Sequence, residues 1–163
     1  MIEEADRAVL TARARALARE MPAPDLAERI AVVPFTLGGS AYAIEILLVR
    51  EVVDAGSIAP VPGARPEFLG VTTYRGEMLG VIDLRVALGL AARPLVAPRL
   101  LIIGDRGPVI GLLADAVEDP LDVATASLLR SPGGHRLVRG MTADARLVLD
   151  GVVLLAGPGG TTS

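Results

Sequence analysis

From Ile30 onward the chain is a succession of short apolar runs, each cut off within a few residues by Gly, Pro or Asp. This punctuation constrains the fold more than any other feature. It leaves room for short strands and tight turns and for little else. "AVVPFTLGG" followed by "SAYAIEI" predicts a hairpin turning at Gly38-Gly39. "LLVREVVD" reads as a strand, or a turn leading into one, with Val49, Val52 and Val53 set among charges. "SIAPVPGARPEF" is loop, because Pro60, Pro62, Gly63 and Pro66 forbid regular structure. "GVTTYRG" and "MLGVIDL" predict a second hairpin about Gly76-Glu77, and "DLRVALGL" a short helix capped by Asp83 and ended by Gly89.

The second half repeats this texture. "RLLIIGDRGPVIGLLAD" predicts a hairpin turning over residues 104–107, "AVEDPLDV" a short strand, and "LLRSPGGHRL" a polar loop. "VRGMTADARLVLDGVVLL" is expected to close the chain with a last hairpin. The echo between the halves suggests two similar β units packed together. Upstream, residues 4–21 are rich in Ala, Leu, Arg and Glu, with Leu10, Ala14, Leu17 and Met21 on one narrow stripe. They read as a leader helix resting lightly on the body, stopped by Pro22 and Pro24.

The core has to be aliphatic: 52% of the residues are hydrophobic, but there is no Trp and the aromatics are two Phe and two Tyr. That scarcity removes the stacking platforms of single-stranded nucleic-acid binding. The net charge is −3, and the Arg residues are scattered among 19 acids, which disfavours a phosphate-backbone partner. No Cys is present, which excludes disulfides, thiolate metal sites and Cys nucleophiles. No apolar run approaches the roughly 18 residues of a membrane span. The N-terminus "MIEEADRAVL" lacks a signal-peptide core, so a cytoplasmic location is expected.

Candidate chemistry is sparse. His135 has no second His or Cys to complete a metal site or a triad and reads as an exposed loop residue. The "GDRG" and "PGG" clusters lack the strand–Gly–helix context of a phosphate loop. Asp83 and Asp115 each end an apolar run and suit capping or strand-end roles better than a carboxylate pair. Arg75 differs: it is the one charge in "VTTYRG", and a charge so placed must be paired or exposed. Glu51, embedded in "VREVV", is its natural partner. Such a pair can bridge two strands, shape a binding groove, or do both.

"FTLGGSAYAIEILLVREVV", "IAPVPGARPEFLGVTTYRGEMLGVIDLR" and "VIGLLADAVED" together resemble the CheW family of chemotaxis coupling proteins, from about Val32 to Leu155. The leader, with its "RARALAR", is similar to an extension seen in some members. The resemblance implies a mainly β fold: two small five-stranded, SH3-like β-barrels with a groove between them, preceded here by an N-terminal α-helix. It divides the chain into a leader and linker (1–29), a CheW-like domain (30–157) with subdomains at about 30–90 and 98–157, and a flexible tail (158–163).

The resemblance also implies a protein with no catalytic activity, no cofactor and no metal. Its partners would be a CheA-type histidine kinase, through that kinase's regulatory domain of the same fold, and the cytoplasmic tips of methyl-accepting receptors. Other CheW-like proteins would join it in rings within membrane-associated arrays; nucleic acid and direct membrane insertion are not expected. By position, Glu51 and Arg75 match the family's Glu–Arg pair, Val49 a receptor-contact position and Leu100 another apolar contact. Arg130 falls in the loop where adaptor meets kinase. Tyr74, Gly76 and Pro120 complete the implied coupling surface.

Some residues depart from the family pattern. Thr73-Tyr74 stands where Asn-Leu is usual, Gly80 where Pro is common, and Pro120 at a strand position that is usually aliphatic, which suggests an edge strand. Gly-Gly-His replaces a bulky apolar residue in the loop at 131–136. A CheW-like adaptor of a non-flagellar pathway is the nearer alternative. A ligand-binding barrel or an enzyme is the more distant one, and lack of turnover or saturable small-molecule binding would separate it.

Overall fold

The computed structural model describes residues 28–107, 109–131 and 133–156. The leader helix expected at 4–21 and the tail at 158–163 lie outside the described residues. Among the described residues are eleven strands: β1 (Arg29–Leu37), β2 (Ser40–Glu45), β3 (Val49–Asp54), β4 (Phe68–Tyr74), β5 (Glu77–Ile82), β6 (Arg99–Ile103), β7 (Ile110–Ala114), β8 (Ala116–Val117), β9 (Leu121–Ala124), β10 (Val138–Met141) and β11 (Leu147–Leu149). The described residues also include two short α-helices, α1 (Leu84–Ala87) between β5 and β6 and α2 (Gly151–Leu155) after β11, and 3-10 turns at Ile46–Leu48 and Thr125–Ser127. The fold is mainly β, as expected.

The strands form two sheets. One has six strands in the order β10-β11-β2-β1-β8, with β9 also on β1; the other has five, β3-β6-β7-β5-β4. Neither sheet is built from one half of the chain. β6 and β7, beyond residue 98, lie in the sheet of β3, β4 and β5, while β1 and β2 lie with β8 to β11. Hairpins form locally, and two parallel pairings then join them: β11 to β2 and β5 to β7. A repeat of texture along a chain therefore does not report which strands share a sheet.

Two hairpin turns have positive φ at both central residues, as a type I′ turn requires. They are Gly38-Gly39 (φ 59° and 85°) and Arg75-Gly76 (φ 48° and 80°). The second turn thus falls one residue earlier than Gly76-Glu77, and Arg75 is a turn residue rather than a strand residue; Tyr74 and Glu77 are the closing pair.

"AVEDPLDV" is two strands, not one. β8 pairs with Phe35 and Thr36, β9 with residues 29–32, and residues 118–120 between them face Val33 and Pro34. The Pro34 carbonyl accepts from the Glu118 N–H at 2.8 Å, so the donor that Pro34 lacks falls on this same side. Pro34 on β1 and Pro120 in the segment facing it both lack an N–H, and the ladder lapses there. Pro120 accordingly lies in the break and not within a strand.

The run "GVVLL" is also corrected. The last hairpin ends at Leu149, and Asp150 starts α2, its carboxylate accepting from the N–H groups of Val152 (3.1 Å) and Val153 (3.2 Å). An Asp cap outweighs the strand preference of the valines.

The larger of two apolar clusters serves both sheets, while Val32, Ala43, Val123 and Val148 form a smaller one within the six-stranded sheet. Phe35, Leu37, Tyr42 and Ile44 of the six-stranded sheet pack with Leu79, Val81, Leu100 to Ile103 and Leu112 of the other, and with Leu154 of α2. Phe35 and Tyr42 oppose each other across β1 and β2 with rings stacked 5.4 Å apart. β6 is covered on both faces, which is why its sequence is an unbroken apolar run.

Candidate functional site

β3 and β4 are the two ends of the five-stranded order, yet their side chains meet. Nη2 of Arg75 lies 3.0 Å from Oε2 of Glu51, and the Tyr74 hydroxyl donates to the same oxygen. The sheet is therefore rolled until its two edges face each other, and this trio bridges them. A bulge helps aim Glu51. Val49 pairs with Ile103 and Glu51 with Ile102, so Arg50 is the extra residue. Arg50 turns outward to the β6–β7 turn, donating from Nε to the Gly104 carbonyl at 3.0 Å and from Nη2 to that of Asp105.

The Arg75 side chain is 75% exposed and that of Glu51 39%. Water screens the pair, so the charges define a surface more than they stabilise the fold. The Arg75 guanidinium also lies over the Tyr74 ring, 5.3 Å from its centroid. The hydrogen bond to Glu51 holds the Tyr74 hydroxyl proton and raises its pKa above the ordinary tyrosine value, with desolvation acting in the same direction.

Val49, Glu51, Tyr74, Arg75 and Gly76 thus belong to one region, with Val49 half-buried against the core. Leu100 does not join them. It is 1% exposed and packed in the core, so it has no surface to offer a partner; it is a core residue and not a contact. Pro120 and Arg130 are both exposed but belong to the six-stranded side. Arg130 follows Leu129, whose backbone bridges to Met141.

Reasoning from the string missed the Arg50 clamp and several strongly exposed apolar side chains, among them Leu47 (76%), Met78 (76%), Val96 (92%) and Val152 (82%). Val152 lines a cleft of about 710 Å³ together with Glu45, Leu48, Asp105, Arg139 and Leu155, between the six-stranded sheet, the β6–β7 turn and α2. Nothing in the local sequence marks these residues, because an exposed and a buried leucine are spelled alike.

The remaining candidates have structural roles. Asp83 accepts from the Arg85 backbone N–H (3.0 Å), capping α1, and receives a two-pronged bond from the Arg85 guanidinium, Nε to Oδ1 at 3.1 Å and Nη2 to Oδ2 at 2.9 Å. Both side chains are buried, and the hydrogen bonds to Asp83 raise the Arg85 pKa further. Asp115 accepts from the Gly38 N–H at 2.7 Å. His135 is half-buried, not fully exposed, and its Nδ1 accepts from the Leu137 N–H at 3.2 Å. Among the described residues, no group of three His, Asp or Glu could hold a metal ion, and no helix is long and apolar enough to cross a membrane.

A family model described as a CheW-like domain matches residues 31–156. The chain belongs to the CheW-like family. "Chemotaxis protein CheW" of Rhizobium meliloti (strain 1021) is 32% identical over 102 residues, covering 62% of this chain and 66% of that protein. The protein of the same name from Bacillus subtilis (strain 168) is 30% identical over 104 residues, 63% of this chain and 67% of the other. The chain therefore aligns with about two thirds of the length of these CheW relatives. Among solved structures, the scaffolding protein TtCheW from Thermoanaerobacter tengcongensis superposes with a TM-score of 0.65 at 27% identity, over 76% of this chain and 90% of that one.

Proposed function

We propose that this chain is a non-enzymatic adaptor that couples methyl-accepting chemoreceptors to a CheA-type histidine kinase. The observation that carries this reading is the CheW-like family match, which extends over residues 31–156. Relatives named as chemotaxis and scaffolding proteins support it. The surface contributes a physical reason: exposed charges paired across a seam, and large apolar side chains left in water, suit recognition of another protein.

In finer detail, the kinase contributes its regulatory domain and the receptor its cytoplasmic tip. The seam of Val49, Glu51, Tyr74, Arg75 and Gly76 is one contact, and the exposed loop around Arg130 and Pro120 another. Further CheW-like chains join in rings at the membrane while this chain stays on the cytoplasmic side. Contacts of this transient kind bury on the order of 1,200 Å².

The test is a titration of the full chain against the regulatory domains of the CheA-type kinases of its own cell, followed by a reconstituted kinase assay with receptor. Micromolar binding and receptor-dependent kinase activity are expected. Absence of both with every such kinase overturns the reading.

A further inference from the structure

Arg75 projects from the tip of the β4–β5 hairpin with its side chain 75% exposed. A long side chain there samples many rotamers, and one solvent-exposed ion pair does little to restrict it. Tyr74 adds two restraints. Its hydroxyl donates to Oε2 of Glu51, the oxygen that also accepts from Arg75. Its ring lies 5.3 Å from the guanidinium carbon, within cation–π range. Tyr74 is itself held, because it closes the hairpin opposite Glu77 and packs against the shared core.

We propose that Tyr74 is a positioning residue for partner recognition: it holds Glu51 and Arg75 in one arrangement, so that the guanidinium meets a partner protein already oriented. This rests on the adaptor reading above and adds a role for a residue that touches the partner less than it aims its neighbour. Ordering one long side chain only on binding weakens affinity by about two- to tenfold, so an arginine ordered beforehand gains that factor.

The full chain and its variants are titrated against the kinase regulatory domain and, separately, a soluble receptor fragment, with a thermal melt alongside. Tyr74→Leu, which loses ring and hydroxyl, is expected to weaken binding by about two- to tenfold; Tyr74→Phe, which keeps the ring, is expected to lose less. In an Arg75→Ala background neither change should weaken binding further, because nothing remains to be aimed. Should Tyr74→Leu fail to fold, Tyr74→Phe carries the same comparison. A second readout separates aiming from mere packing. In a Tyr42→Phe background Tyr74 is the only tyrosine, and Glu51→Gln should lower the midpoint of its tyrosinate absorbance.

A wild-type chain that binds neither probe overturns the adaptor reading, and this proposal with it. If the wild type binds, three results overturn the proposal alone: Tyr74 variants that bind equally well, losses that add fully to that of Arg75→Ala, or an unmoved tyrosinate midpoint.

Discussion

Glu51 and Arg75 are each a charge set among apolar neighbours, and that contrast makes both, and their pairing, legible in the sequence. The contrast fails for Leu100, whose neighbours are as apolar as itself; position along the chain suggested a contact, while coverage of β6 on both faces makes it core. It fails for Arg75 in one respect as well. An Arg-Gly pair after a β-rich run reads as the end of a strand, whereas Arg75 is the first central residue of the turn, at φ 48°. These placements set the expected behaviour of Arg75→Ala. Losing an exposed ion pair should change stability by only about 0–1 kcal/mol, and Ala meets the same left-handed backbone that Arg already tolerates. An anchoring arginine at an interface, by contrast, contributes roughly 2 kcal/mol or more to binding. Arg75→Ala should therefore melt close to wild type yet lose receptor-dependent kinase activity in a reconstituted array. Glu51→Ala should resemble it. A variant that melts normally and couples fully reduces the pair to a bridge between strands.

Elements were legible where turn chemistry is explicit and illegible where two local preferences compete. Hairpins at Gly38-Gly39 and after Tyr74, and the Asp83-capped helix, are all present. α2 was hidden because Val152 and Val153 favour a strand, and only the cap at Asp150 tips the balance. The β8–β9 break was hidden because its cause, Pro34, lies far away in sequence on the strand that both pair with. The β1–β2 turn offers a test of how tertiary packing adds to turn chemistry. Gly38 and Gly39 both have positive φ, but only Gly38 is crowded: an added Cβ would lie 2.8 Å from Cδ of Arg85, while at Gly39 nothing lies within 4 Å. Arg85 cannot swing aside cheaply. Two of its nitrogens are on Asp83, and the third, Nη1, donates to the Arg93 carbonyl at 2.8 Å. Gly39→Ala should then lose about 1–2 kcal/mol, the left-handed backbone penalty alone. Gly38→Ala should lose that plus roughly 1–3 kcal/mol for overpacking. Urea midpoints measure both, and equal losses would show that Arg85 yields freely.

At the scale of the whole molecule, composition correctly announced an aliphatic core, but the chain's internal echo misdescribed how that core is divided. Two units made from successive halves would each have a core and could unfold separately. The observed sheets draw strands from both halves and share one apolar cluster reaching from Phe35 and Ile44 to Leu101 and Leu112. Asp115, which follows β7, accepts from the Gly38 N–H in the turn of the other sheet at 2.7 Å, so a polar contact crosses the same boundary. Neither sheet can leave without exposing the other's inner face, and unfolding should be a single cooperative transition. The two tyrosines make this measurable, since Tyr42 sits in the six-stranded sheet and Tyr74 in the five-stranded one. Tyr74→Phe leaves Tyr42 as the reporter of the first sheet. Tyr42→Phe leaves Tyr74 as the reporter of the second and keeps the ring that stacks on Phe35. Leu101→Ala, on β6, is then added to each. It should remove about 2–5 kcal/mol from a fully buried leucine and lower the urea midpoint seen by both reporters equally. A midpoint that falls for Tyr74 and stays fixed for Tyr42 would mean that the sheets unfold independently, and that the shared core does not couple them.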